Sequence, residues 1–239
     1  MKDPGNQLRD YLEKLIRRFL YVKSLDRQLK LINEWDTPKR VEALNTGSTF
    51  FRLVTYTFAR IILIELCKLV SDKEEKSLVD WLNKAKDHAT SIEPTRYNPD
   101  YSEREREPVK PEEYRRIISE QQAQLDANKN VINRIKAQRD KALAHSDAAY
   151  FNDPGTLYEH YPLSADDIDA LMDTVSEILR THHIHLLKAD IDMEVHSLSN
   201  VDTILRLARA FSRAYKDRDL IAKGFRPKDY LYDDNEREF

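Results

Sequence analysis

Apolar residues recur at three- and four-residue steps along most of the chain. Leu8, Tyr11, Leu12, Leu15, Ile16, Phe19 and Leu20 form one broad apolar stripe, the spacing of an amphipathic helix. Leu25 and Leu29 carry it on to about Glu34. Asp36-Thr37-Pro38 breaks it. A short helical piece follows, and Asn45-Thr46-Gly47-Ser48 marks a turn. From Thr49 to Val70 the chain is apolar on most sides, with Phe50, Phe51, Leu53, Val54, Tyr56, Phe58, Ile61, Ile62, Ile64, Leu66 and Leu69. A helix apolar nearly all round is a central one. Arg52, Arg60 and Glu65 interrupt it and are expected to reach the surface through one remaining stripe. Ser71 and Glu74 stand three apart, as in a capping box, ahead of a helix that buries Leu78, Trp81, Leu82 and Ala85.

Ser91 to Pro111 differs in kind. It holds four prolines, the alternating charges Glu103-Arg104-Glu105-Arg106-Glu107, and little that is apolar beyond Ile92, Tyr97 and Tyr101. The composition predicts an exposed loop that either serves a site or is an insertion. Pro111 suits the first turn of a helix, and Tyr114, Ile117, Ile118, Leu125, Val131, Ile132 and Ile135 give that helix an imperfect stripe. Tyr150 to Pro162 reads as a loop turning at Asn152-Asp153-Pro154-Gly155. Ser164 with Asp167 opens another helix, whose buried face holds Ile168, Leu171, Met172, Val175, Ile178, Leu179 and Leu186. Ser199 with Asp202 caps a last helix through Val201, Ile204, Leu205, Ala208 and Phe211. Beyond about Tyr215 the pattern fades into scattered aromatics, with a brief alternation at Tyr230 to Tyr232. The chain therefore reads as all-α, a helical bundle of about five to seven helices. The expected organisation is one domain over residues 6–215, with 91–111 as the exposed loop or insertion and 216–239 as a C-terminal extension.

Composition agrees with this class and narrows the chemistry. Glycine is scarce, with 4 in 239 residues, and charged residues make up 34 %, which favours helices over sheets. The formal net charge of −3 excludes a globally basic nucleic-acid binder, so any RNA site must be a local patch. Cys67 is the single cysteine, so no disulfide forms within the chain. It lies in an apolar helix and is expected to be a small core residue. The N-terminus lacks the apolar core of a secretory signal. The most apolar run, Ile61 to Cys67, is far shorter than the roughly 20 residues that a membrane span needs. A soluble, cytoplasmic protein with no membrane partner is expected. The isolated glycines make no phosphate-cradling loop. His182 and His185 share a helix face, but a zinc site needs three or four ligands. The histidines are expected to be a polar helix end suited to the dipole.

One stretch combines groups that do chemistry. Arg139-Asp140-Lys141-Ala142-Leu143-Ala144-His145-Ser146-Asp147 follows the most basic part of the chain, where Lys129, Arg134, Lys136, Arg139 and Lys141 cluster. Arginine is a fixed cation and histidine exchanges protons near neutrality. Those two groups are the minimum needed to cleave a phosphodiester without a metal. As bare chemistry this stretch is also what a basic, dipole-favoured helix end looks like.

An arginine, a polar residue, a short spacer and a histidine, here Arg139-Asp140 running into Leu143-Ala144-His145-Ser146-Asp147, resemble the signature of the HEPN superfamily. The form is similar to its abortive-infection and toxin-type branch. A central helix, a short acidic-capped connection and a further helix before the motif are also similar to that branch. The resemblance implies an all-helical, homodimeric, metal-independent endoribonuclease with no cofactor, acting in toxin–antitoxin or antiviral defence. It implies Arg139 and His145 as catalytic residues, Asp140 as their support, RNA as substrate and an antitoxin protein as a possible partner. Arg134, Lys136 and Lys141 are the candidate RNA-backbone contacts. On one continuous α-helix Arg139 and His145 would lie about 120° apart around the axis and roughly 9 Å along it. Either the helix breaks or tightens near Ala144, or a two-fold dimer assembles the site from two chains. The alternative is a non-catalytic HEPN-like module that binds RNA or protein in a defence system, or a plain helical scaffold.

Overall fold

A computed structural model describes residues 3–33, 37–97, 106–144, 154–195 and 199–216, together with 218 and 222. In chain order it has α1 (Pro4–Asn33), α2 (Pro38–Thr46), α3 (Ser48–Val70), α4 (Leu78–Asp87), β1 (Thr95–Tyr97), β2 (Arg106–Pro108), α5 (Pro111–Ala127) and α6 (Lys129–Gln138). A π-helical turn (Arg139–Ala144), α7 (Pro154–His160), α8 (Ala165–Leu187) and α9 (Ser199–Lys216) complete it. The fold is an all-α bundle, as the periodicity predicts, and no helix among the described residues is long and apolar enough to cross a membrane.

Several boundaries follow from local chemistry. Thr37 caps α2 by accepting a hydrogen bond from the Arg40 N–H, with Pro38 in the first turn. Ser164 and Asp167 close the expected capping box on α8, each side chain accepting the other's backbone N–H. Two opposed hydrogen bonds there satisfy donors that a helix start leaves without partners. Ser71 and Glu74 do not cap α4, contrary to their spacing. The helix begins seven residues after Ser71, and Ser77 caps it through the Asp80 N–H. Residues 71–77 are instead a connecting loop in which Lys76 has a φ of 69°.

The chain forms two units, one comprising Met1–Lys23 with Ile62–Glu194, the other drawing on Ser24–Ile61 and the chain after Glu194. The core of the first unit holds Leu12, Leu15 and Phe19 of α1 and Leu66, Cys67 and Leu69 of α3. Trp81 and Leu82 of α4, Tyr114 and Ile118 of α5, and Leu171, Val175, Ile178 and Leu179 of α8 complete it. The second unit packs Leu31, Ile32, Ala43, Leu44, Phe51, Val201 and Leu205 into one cluster. Arg40 is buried beside it, donating to Asp202 at 2.8 Å and to the Leu31 carbonyl. Glu42 accepts from both Arg209 and Arg213.

Three segments depart from the sequence reading. The central helix α3 is buried through its second half, but Phe50, Leu53 and Tyr56 in its first half are exposed. Its polar exceptions are placed by pairing: Glu65 meets Arg18 and Lys68, and Arg60 lies over the Tyr56 ring at 4.4 Å. The proline-rich stretch is no plain loop. β1 and β2 pair antiparallel, with Arg96 opposite Glu107. Ile92 and Val109 flank them as buried anchors, and Arg106 donates to the Ile184 carbonyl of α8 at 2.9 Å. Residues 98–105 lie outside the described residues, as does the Tyr230–Tyr232 alternation. Residues 154–160, expected in a loop, form α7, with Leu157 buried and the proline in the first turn, where its missing N–H costs nothing.

Candidate functional site

Helix α6 delivers the motif. Ile135 and Gln138 form its buried side, and Gln138 donates to the Tyr161 carbonyl at 2.6 Å, tying the helix to the chain after α7. At Arg139 the backbone N–H is shared between the carbonyls of Ile135 and Lys136. The helix then widens into the π-helical turn Arg139–Ala144. Up to Ala144, where this described segment ends, it widens and neither breaks nor tightens. In a π turn each N–H reaches five residues back, so position 144 falls about one turn beyond 139. Such turns are rare and concentrate at functional sites. α7 packs against this turn.

The Arg139 side chain is held from two sides and only 16 % exposed. Its Nε–H donates to Asp140 at 2.8 Å, and a terminal N–H donates to Glu74 at 2.7 Å. Burial opposes its charge, but the bonds to Asp140 and Glu74 outweigh that and hold its pKa above the ordinary arginine value. Asp140 is thus a direct hydrogen-bond partner of Arg139. Glu74 was hidden in the sequence. Its spacing from Ser71 read as a helix cap, and nothing in the pattern links positions 74 and 139.

The other candidates have distinct surroundings. Arg134 donates to the Pro162 carbonyl at 2.7 Å and to Asp167 at 3.2 Å. It thereby joins α6 to the capped start of α8. Lys136 and Lys141 are half-buried along α6 and the π turn. His145, with Ser146 and Asp147, lies outside the described residues. Cys67 is fully buried, and burial pushes its thiol up despite the nearby Arg139 charge. A buried thiol with a raised pKa is a poor nucleophile.

The histidine pair of α8 is not the polar helix end expected. His182 is completely buried, its Nδ1 2.8 Å from the Tyr114 hydroxyl and its ring 4.5 Å from Trp81. His185 shares a hydrogen bond at 2.8 Å with the Thr95 carbonyl of β1. Burial lowers both pKa values, that of His182 to about 3. Among the described residues no group of three or more histidines, cysteines or acids is placed to hold a metal.

His182 stays neutral in the fold while the unfolded chain takes up a proton near pH 6.5. Stability is therefore full above that pH and falls as pH drops towards 3. Between pH 7 and pH 5 the loss from this residue is about 2 kcal/mol, and His185 adds to it in the same direction. Urea denaturation at the two pH values tests this. The Tyr114→Phe/His182→Phe double variant is expected to lose the His182 share of the pH dependence and keep that of His185, and an unchanged dependence would contradict the assignment.

No match was found among curated proteins or among solved structures. The model of the HEPN-type abortive-infection family AbiU2 matches residues 6–219, which takes in the π turn, the Arg139 cage and the histidine core alike. With nearly the whole described chain inside that match, the protein belongs to the AbiU2 family of HEPN proteins.

Proposed function

We propose that this chain is a metal-independent endoribonuclease of the toxin or abortive-infection type, active as a homodimer. The carrying observation is Arg139: a largely buried guanidinium, fixed by Asp140 and Glu74 at the point where the helix widens. In the proposed reaction His145 takes the proton of a ribose 2′-OH, whose oxygen attacks the adjacent phosphorus. The bond from phosphorus to the 5′-oxygen breaks, and the second copy of His145 in the dimer protonates that leaving oxygen. Arg139 stabilises the charge that gathers on the phosphoryl oxygens. Asp140 and Glu74 are positioning residues. Lys136 and Lys141 guide the RNA backbone, and an antitoxin protein restrains the activity. The products are a 2′,3′-cyclic phosphate and a 5′-hydroxyl, which confines the substrate to RNA.

A second reading also has an observation in its favour. Both carboxylates on Arg139 leave the trio with a net negative charge, which suits a structural tie between the 71–77 loop and the π turn. On that reading the chain is a non-catalytic module that binds RNA or protein. Expression in a bacterial host separates the two. The nuclease reading expects growth arrest with degradation of cellular RNA, both abolished by His145→Ala at equal protein level. Arrest that persists in His145→Ala with intact RNA supports the binding module instead.

A further inference from the structure

Away from Arg139, the first unit has a cleft of about 380 Å³ between the N-terminal half of α1 and the 71–77 loop with α4. Tyr11, Lys14, Lys76, Lys84, His88 and Asp10 line it. Its cations are arranged around one ring. Lys76 Nζ lies 5.3 Å and Lys84 Nζ 5.7 Å from the centre of Tyr11, close enough for the ring to hold both ammonium groups in place. The ring is itself fixed, because the Tyr11 hydroxyl donates to the Ser77 carbonyl at 2.8 Å and also bonds Asp80 at 3.0 Å. Burial and the Asp80 carboxylate raise its pKa, keeping it a neutral donor. Lys14 stands three residues after Tyr11 on α1, so the two share a helix face.

Not all of this charge is available. Lys84 is paired with Asp80 at 2.7 Å, and Asp10 offsets one further cation. Lys14 and Lys76 are exposed; Lys76 feels the Asp80 charge at longer range, but Asp80 forms its ion pair with Lys84. Lysine ammonium groups act as compact point charges on phosphate, whereas planar carboxylates favour the arginine fork. Lys76 is two residues from Glu74, and Glu74 holds Arg139. Two residues of chain span at most about 7 Å, so the loop that positions the arginine also carries a cation of the cleft. A left-handed backbone at Lys76, with its φ of 69°, is uncommon outside glycine and asparagine.

We propose that this cleft is a phosphate-binding subsite for single-stranded RNA, which holds the strand a few nucleotides away from the bond at Arg139. It deepens the nuclease reading, since it names how that site would hold its substrate, yet it is testable without cleavage. The experiment measures binding of a short labelled single-stranded RNA to the full chain carrying Arg139→Ala, by fluorescence anisotropy over a range of salt concentrations. Adding Lys14→Gln and Lys76→Gln is expected to weaken binding about tenfold and to flatten the salt dependence of log K by roughly 1.4, about 0.7 for each phosphate no longer neutralised. The exposed Lys110→Gln serves as a comparison on the same unit and is expected to change little. A free mononucleotide is the second ligand, and weak competition by it is expected.

Equal affinity and slope with and without the two lysines, or no RNA binding at all, overturns the subsite. So does binding of the mononucleotide alone. If RNA binds through the two lysines while the unaltered chain cuts nothing, the subsite stands and the nuclease reading fails. If the chain with Arg139 and His145 intact cuts RNA equally well with Lys14 and Lys76 replaced, at the same KM, the nuclease reading stands and the subsite fails.

Discussion

Alanine at Arg139 and alanine at His145 are each expected to lower RNA cleavage by about a thousandfold or more. Removing one donor aimed at transition-state charge costs about 10²–10³, and removing a general acid–base group costs about 10²–10⁴. Both copies of His145 act in the one proposed composite site, so its loss removes the base and the acid together. Arg139→Lys keeps the charge but not the planar fork, and a single ammonium cannot bridge Asp140 and Glu74 as the guanidinium does. It is expected to recover only a small part of the rate. Glu74→Gln keeps a hydrogen-bond acceptor for Arg139 and is expected to reduce kcat less than the alanine changes. Denaturant midpoints measured beside the rates separate catalysis from folding. A rate that falls only in proportion to lost folded protein identifies Arg139 as structural.

Trp81→Ala is expected to destabilise the first unit by about 3–5 kcal/mol, the range for removing a large buried aromatic. Trp81 is fully buried. Its indole N–H donates to the Leu8 carbonyl of α1 at 2.9 Å, and its ring meets His182 of α8 at 4.5 Å. One side chain therefore joins α1, α4 and α8. Alanine leaves a cavity and takes the donor away from the Leu8 carbonyl. Trp81→Phe fills more of the space but still lacks the donor, so its loss is expected to be smaller. Chemical denaturation followed by circular dichroism measures both, and a loss under about 1 kcal/mol for the alanine variant contradicts this account of the core.

The helices were legible because their buried faces repeat every three to four residues. Leu12, Leu15 and Phe19, or Leu171, Val175 and Leu179, point inward as their spacing predicts. The Ser164–Asp167 cap was legible for the same reason, since both partners are local. Features set by partners distant in sequence were not. Ser71 and Glu74 satisfy a capping pattern, yet Ser77 is the cap and Glu74 turns to an arginine 65 residues away. The hairpin at 95–108 is too short to show strand alternation and is fixed by contacts with α8, among them His185 to Thr95 and Arg106 to Ile184. The histidines of α8 looked like a polar helix end because histidine is polar by type. Burial beside Trp81 and Tyr114, which the local pattern does not encode, makes them core.

At the candidate site the sequence identified Arg139 and Asp140, and their hydrogen bond is in the structure. The π turn was not foreseen, because Arg139 to Ala144 carries no glycine or proline to mark a departure from the α-helix. Arg134 was grouped with the RNA-facing cations on charge alone. Its bonds to Pro162 and Asp167 depend on where α8 begins.

The central claim is tested most directly by incubating the purified chain with a 5′-labelled RNA in excess EDTA and identifying the new 3′ ends by mass spectrometry. The proposed mechanism predicts cleavage that persists in EDTA, fragments ending in a 2′,3′-cyclic phosphate, and no such fragments from the His145→Ala chain. Fragments that disappear with EDTA, that end in a plain 3′-hydroxyl, or that form equally with His145→Ala would contradict it.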